Sequence, residues 1–179
     1  MLNIRSAKQM DLDRVELIYN HIHDEEENGM ATIGWNRDIY PVRKTAEAAL
    51  ERNDLFVMED GNSIVAVAII NQIQVPEYAD AAWRHEAKED EVMVLHTLVV
   101  DPLEKKKGYG KAFVSFYEEY AKQHNCKELR MDTNVINQRA RNMYHNLGYQ
   151  EVDIVPCVFN GIPDVQLVCL EKCISSIIK

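Results

Sequence analysis

At 179 residues the chain has the length of one domain built on one core. A composition of 46% hydrophobic and 27% charged residues excludes disordered, collagen-like and membrane-embedded classes. The net charge of −9, from 20 Lys plus Arg against 29 Asp plus Glu, repels nucleic acid and anionic membrane surfaces, so neither is expected as a partner.

No run approaches the roughly 18 to 20 apolar residues of a membrane span, and the N-terminus lacks an apolar signal core, so a cytoplasmic location is expected. Cys126, Cys157, Cys169 and Cys173 form no paired C-x-x-C knuckles. Reduced thiols and no metal are expected, because only Cys169 and Cys173 lie close together and no His follows at ligand spacing.

In chain order, LNIRSA alternates apolar and polar side chains and predicts a strand, and Leu12, Val15 and Ile18 or Tyr19 predict a helix over about 10–20. The pattern lapses between Glu25 and Pro41 around Gly29 and Gly34, before TAEAALERND supplies a short helix. LFVMED and SIVAVAII, joined by Asp60-Gly61-Asn62, predict a hairpin. Residues 74–91, with Pro76, Tyr78 and Trp83, form an acidic, partly helical excursion long enough to be a lid. EVMVLHTLVVDP is a strand stopped by Asp101-Pro102.

After Gly108 and Gly110, Phe113, Phe116 or Tyr117, and Tyr120 mark a helix with one buried face. KELRMDTNV predicts a strand, and Ala140, Met143, Tyr144 and Leu147 predict a helix ended at Gly148. YQEVDIV and DVQLVCLEK are strand-like runs split by Asn160-Gly161-Ile162-Pro163. The order is βαα, three strands, αβα and two strands, which predicts a mixed α/β sheet in a single domain over 1–179.

The sharpest local feature is KKKGYGK, Lys105, Lys106, Lys107, Gly108, Tyr109, Gly110 and Lys111, which carries +4 in an acidic chain. Between a strand end and a helix start, two glycines let backbone N–H groups converge where the helix dipole favours an anion, a site suited to a diphosphate. A solvated charge run at a helix start is the alternative. Walker A fails because Lys105 replaces its first glycine and Ala112 follows Lys111, and a dinucleotide fingerprint fails at Phe113.

The remaining pattern, Lys-x-x-Gly-x-Gly after VVDP, resembles the GCN5-related N-acetyltransferase (GNAT) family, whose signature is Arg or Gln followed by x-x-Gly-x-Gly or Ala. NQRARNMYHNLGY, Asn137 to Tyr149, resembles the family's later Asn-x-x-Ala-x-x-x-Tyr-x-x-x-Gly-Phe/Tyr segment. Lys105 departs from the family's Arg or Gln, keeping the charge but losing the planar fork. The resemblance implies a largely antiparallel central sheet flanked by helices, with a splayed strand pair at the cofactor site, and acetyl-CoA as cosubstrate.

By that resemblance, Leu98, Val99 and Val100 offer backbone groups to the pantetheine arm. Lys105 to Lys111 and Asn137 hold the rest of the cofactor, and Tyr144 serves the departing thiolate as acid or hydrogen-bond donor. Tyr144 also fits an apolar helix face as an ordinary core residue. His96 is the candidate base for the acceptor ammonium, the alternative being a buried, hydrogen-bonded and inert strand histidine. Family position puts Trp35 and Tyr40 at the acceptor pocket. His21, His23 and the acidic run that follows read as a solvated helix end, not a metal site.

The expected function is transfer of an acetyl group from acetyl-CoA to a primary amine by direct attack in a ternary complex. Polyamine, aminoglycoside-like and peptide amines are equally open. A non-catalytic acyl-CoA sensor is the alternative, and a third is an interaction protein using Ile174, Ile177 and Ile178. Family analogy allows a homodimer through the late strands.

Overall fold

Seven segments with strand-type apolar patterns become β1 (Leu2–Ser6), β2 (Leu55–Asp60), β3 (Ser63–Asn71), β4 (Val92–Val100), β5 (Glu128–Asn134), β6 (Gln150–Phe159) and β7 (Ile162–Cys173). Four helices join them: α1 (Leu12–Glu27), α2 (Arg43–Glu51), α3 (Tyr109–Gln123) and α4 (Gln138–Asn146). The computed structural model describes residues 2–104 and 107–174, so Lys105, Lys106, Ile177 and Ile178 lie outside the described residues.

The strands form one sheet in the order β1-β2-β3-β4-β5-β7-β6. Every neighbouring pair is antiparallel except β4 with β5. A parallel pair needs a crossover, and α3 supplies it. This is the expected mixed α/β sheet, largely antiparallel and flanked by helices.

The two faces have separate cores. On one, Phe113, Val114 and Tyr117 of α3 and Tyr144 of α4 pack on Met58, Ala66, Met93, Leu129 and Met131. On the other, Leu12, Val15 and Ile18 of α1 and Ala46 and Ala49 of α2 cover Val57, Val67 and Val99. Residues 72–91 extend that second layer, with Tyr78 buried against Val92, Val94 and Leu167.

Two elements differ from expectation. Helix α1 runs on to Glu27, because its buried stripe of Val15, Ile18 and Tyr19 continues through His23. The His23 ring is tied to the Pro41 carbonyl at 2.9 Å, which makes a polar residue acceptable inside. The 74–91 excursion contains two 3-10 turns, Pro76–Asp80 and Glu89–Glu91, and is pinned to the sheet instead of standing off it as a lid. Tyr78 donates to Asp132 at 2.7 Å, Trp83 donates to the Tyr78 carbonyl at 2.8 Å, and the Arg130 guanidinium lies 4.2 Å from the Trp83 ring.

Candidate functional site

Strands β4 and β5 pair from Val92 opposite Glu128 to Leu95 opposite Met131, and then part. A cleft of about 720 Å³ passes through the sheet where they diverge. On its other edge β4 stays paired with β3, but the register moves from Val67–Val99 to Ile69–His96, so β4 carries an extra residue there. That residue forms a bulge at Thr97, whose φ of +50° is rare for a β-branched side chain. The Thr97 hydroxyl is held by Tyr40.

The bulge reverses the alternation of β4. His96 stays on the face of Val94, whereas Leu98 and Val100 join the face of Leu95 and pack toward α3. Asp101 N–H donates to Val65 O on β3 at 2.9 Å. Two residues earlier, the backbone groups of Val99 therefore also face β3, and those of Leu98 and Val100 face the parted side. Val99 differs from the other two of the trio: its polar groups belong to the sheet and its side chain packs in the core, though it too borders the cleft.

At one end of the cleft α3 begins. Gly108 takes a left-handed φ of +76° just before the helix, which a residue with a Cβ adopts at a cost. Gly110 serves a different need, since a Cβ there would meet Met143 Sδ of α4 at 3.1 Å, closer than ordinary contact, and that side chain would have to give way. First-turn amides have no intrahelical acceptor, so the start of α3 presents donors and the positive end of its dipole to the cleft. The side chains are less available than the sequence implies: Lys107 is paired with Glu104 at 2.7 Å, and Tyr109 is buried with its hydroxyl on Asp60 at 2.5 Å. Lys111 and Arg139 line the cleft with no carboxylate partner among the described residues.

Asn137 also lines the cleft, and its Oδ1 accepts Ala140 N–H at 3.2 Å, capping α4. About two helical turns on, Tyr144 is 7% exposed and faces the same space. Burial raises its phenol above the ordinary value, with the nearby Asp132 adding to the effect. At neutral pH Tyr144 is a hydrogen-bond donor.

The opposite end lies on the other face of the sheet. Trp35 and Tyr40 line it and meet edge to face at 6.0 Å. Their loop is fixed by Glu26, whose carboxylate accepts Ile33 N–H at 2.6 Å and Gly34 N–H at 2.8 Å. His21 and His23 are used structurally, on Asp101 at 3.0 Å and on the Pro41 carbonyl.

His96 reaches Asn71 Oδ1 at 2.9 Å. That oxygen also accepts Ile73 N–H, and Asn71 Nδ2 donates to Asp54, so His96 Nε2 carries the proton. Burial pushes the His96 pKa down to about 4, against the pull of Asp54, so the ring is neutral and weakly basic at pH 7.

Sequence reasoning missed Asp132. It lines the cleft on β5 at the first position beyond the paired segment. Burial pushes its pKa up to about 7 despite the hydrogen bond from Tyr78, and Glu77 adds to the rise. Its other titratable neighbours are Tyr40, Tyr144 on α4, Cys157 on β6 and Cys169 on β7. The only available signal was the second of two carboxylates in the strand KELRMDTNV, after Glu128, with nothing nearby to mark it.

Comparison with known proteins agrees with this architecture. Residues 15–149 match the model of the Acetyltransferase (GNAT) family. The uncharacterized N-acetyltransferase YhfO of Bacillus subtilis (strain 168) is 22% identical over 152 residues, 84% of this chain and 91% of that protein. A GNAT family acetyltransferase from Streptococcus agalactiae superposes with a TM-score of 0.81 at 19% identity, covering 97% of this chain and 96% of the other. The yncA protein of Salmonella typhimurium, solved with its cofactor acetyl-CoA, superposes at 0.69 and 18% identity over 98% of this chain and 95% of its own. With three quarters of its length inside the family model and a sheet that parts between β4 and β5, this chain belongs to the GNAT family of acetyltransferases.

Proposed function

We propose that the protein transfers an acetyl group from acetyl-CoA to a primary amine by direct attack in a ternary complex. One observation carries this reading: a single cleft through the sheet has helix amides and Tyr144 on one face and Asp132 on the other. The residues present suit the cofactor. The α3 amides with Lys111 and Arg139 would hold its diphosphate, the backbone of Leu98 and Val100 its pantetheine arm, and Asn137 and Tyr144 the sulfur end. Lys105 and Lys106 remain proposed phosphate contacts from the sequence pattern alone.

Bound acetyl-CoA supplies a thioester carbonyl open to attack by an amine. Leu98 N–H, beside the bulge, is the donor we assign to the carbonyl oxygen, an effect commonly worth about 3 kcal/mol per donor. An alkylammonium has a pKa of about 10.4 and must lose a proton before it attacks. Asp132 first pairs with the ammonium and then accepts its proton, for which a pKa of about 7 is suited. His96, the base expected from sequence, becomes a neutral hydrogen-bonding group that orders the β3–β4 edge through Asn71.

Tyr144 hydrogen-bonds the departing sulfur. Handing its proton over fully would run uphill, because its phenol is held well above the range of a thiol near 8.5. No cysteine nucleophile is needed: Cys126 is buried, its thiol is pushed up by burial, and it does not line the cleft.

The test is to mix the protein with acetyl-CoA and a panel of amines and follow free thiol. Saturable acetyl-CoA binding with thiol release for at least one amine is expected. Tight binding with no thiol from any amine, and no effect of Tyr144→Phe, would favour a sensor instead.

A further inference from the structure

Away from the cleft, the sheet face beneath residues 72–91 holds two buried carboxylates, each with one oxygen that no hydrogen bond satisfies. Glu128 on β5 and Glu171 on β7 are 2% and 1% exposed. They share a face because Glu171 stands opposite Arg130, two residues along from Glu128. Glu171 Oε1 accepts Arg84 N–H at 3.1 Å and lies 3.2 Å from His85 Nδ1, and Glu128 Oε2 lies 3.6 Å from that same nitrogen. Oε2 of each glutamate has no hydrogen-bond partner.

The nearest fixed cation, Arg130, acts on both carboxylates through space but hydrogen-bonds to neither. Arg130 donates to Gln74 Oε1 at 2.6 Å and to the His85 carbonyl at 3.1 Å, and stacks on Trp83. Buried carboxylates in such a setting are paired with a cation or coordinate a metal. The three groups converge as ligands do, with one atom from each within 4.8 Å of the others. Separations of 3.2 and 3.6 Å bracket the edge of roughly 3.4 Å that a tetrahedral site with bonds of about 2.1 Å requires.

We propose that His85, Glu128 and Glu171 bind a divalent metal ion of the zinc type, through imidazole Nδ1 and one oxygen from each carboxylate. An imidazole with two carboxylates is a borderline donor set that suits zinc better than calcium or magnesium. His85 is 47% exposed, which leaves an entry path and room for water as a fourth ligand. The ion lies outside the acetyl-transfer cleft, as none of its three ligands lines it. It clamps residues 72–91, and with them Tyr78, onto β5 and β7. The sequence alone pointed to no metal because the ligands come from three separate segments.

The test needs no acetyltransferase activity. The full chain, stripped with a chelator and titrated with Zn2+ against a chromophoric competitor, is expected to take up one equivalent with a Kd of about 1 μM or tighter and to melt at a higher temperature when loaded. Glu171→Gln, with Glu128→Gln as the second variant should the first not fold, is expected to weaken binding at least about tenfold. Loaded with Co2+, the wild type should show d–d absorption without a thiolate charge-transfer band. The proposal is overturned if wild type and both variants bind Zn2+ equally, if wild type binds none because a protonated His85 bridges the two acids, or if a thiolate band lost in Cys173→Ser places the metal on that neighbouring cysteine.

Discussion

The two ends of the cleft are built by opposite means. The proposed cofactor end is mostly backbone: Leu98 and Val100 at the bulged strand, then the amides that Gly108 and Gly110 expose at the start of α3. The proposed acceptor end is made of side chains from distant segments, Trp35 and Tyr40 from one loop, Val75 from the cover, Asp132 from β5 and Phe159 from β6. Backbone donors survive side-chain replacement, so the first end should be sensitive mainly to added bulk. The second end depends on single atoms, and exchanging one oxygen for nitrogen should be enough to disable it.

The largest expected effect tests that claim at Asp132. Asp132→Asn keeps the volume and still allows contact with Tyr78, but removes the proton acceptor. We expect kcat to fall by about 10²- to 10⁴-fold with the Kd for acetyl-CoA unchanged, read by steady-state thiol release and by calorimetry. Wild-type kcat/KM should rise with pH through about 7 as Asp132 ionises, a limb the variant should lack. An unchanged rising limb in Asp132→Asn would remove this carboxylate from the mechanism.

At the cofactor end, Gly110→Val should act in the opposite sense. Its side chain would enter the 3.1 Å gap to Met143 and wedge α3 from α4, raising the Kd for acetyl-CoA by about 10- to 100-fold. Smaller again is Tyr144→Phe, which removes one hydrogen bond to the sulfur and should lower kcat about tenfold with KM for acetyl-CoA nearly constant. Lys111→Ala and Arg139→Ala, both exposed charges at the mouth, should each raise that KM only a few-fold, an effect that fades at high salt.

The same contrast explains what could be read from the sequence. The β4–α3 turn was legible because its determinants are contiguous and glycine marks the backbone directly. The hairpin at Asp60-Gly61-Asn62 and the end of α4 near Gly148, with φ of +89°, were legible for the same reason. Helix α1 was read too short because its buried stripe passes through His23, whose partner lies on another segment. Asp132 and Tyr78 are 54 residues apart and meet only through the sheet order, so no local pattern announces them. His96 was noticed for its type, but its chemistry is set by burial and by the Asn71–Asp54 chain, neither visible in the letters.

The smallest effect concerns stability, and it separates His96 from Asp132 by sign. The folded pKa of His96 is depressed to about 4 from an unfolded value of 6.5, so between these the unfolded chain binds more protons and stability falls as pH drops. Asp132 is raised from 3.8 to about 7, so across its own range the folded chain holds the extra proton and stability falls as pH rises. His96→Gln, which keeps a donor for Asn71, should therefore narrow the loss of stability between pH 6.5 and 4 by about 1 to 3 kcal/mol and leave pH 8 nearly unchanged. Asp132→Asn should instead raise stability at pH 8 relative to pH 4. Denaturant midpoints at pH 4, 6 and 8 would show both, and parallel pH curves for wild type and His96→Gln would mean that the imidazole is solvated and free to act as the base after all.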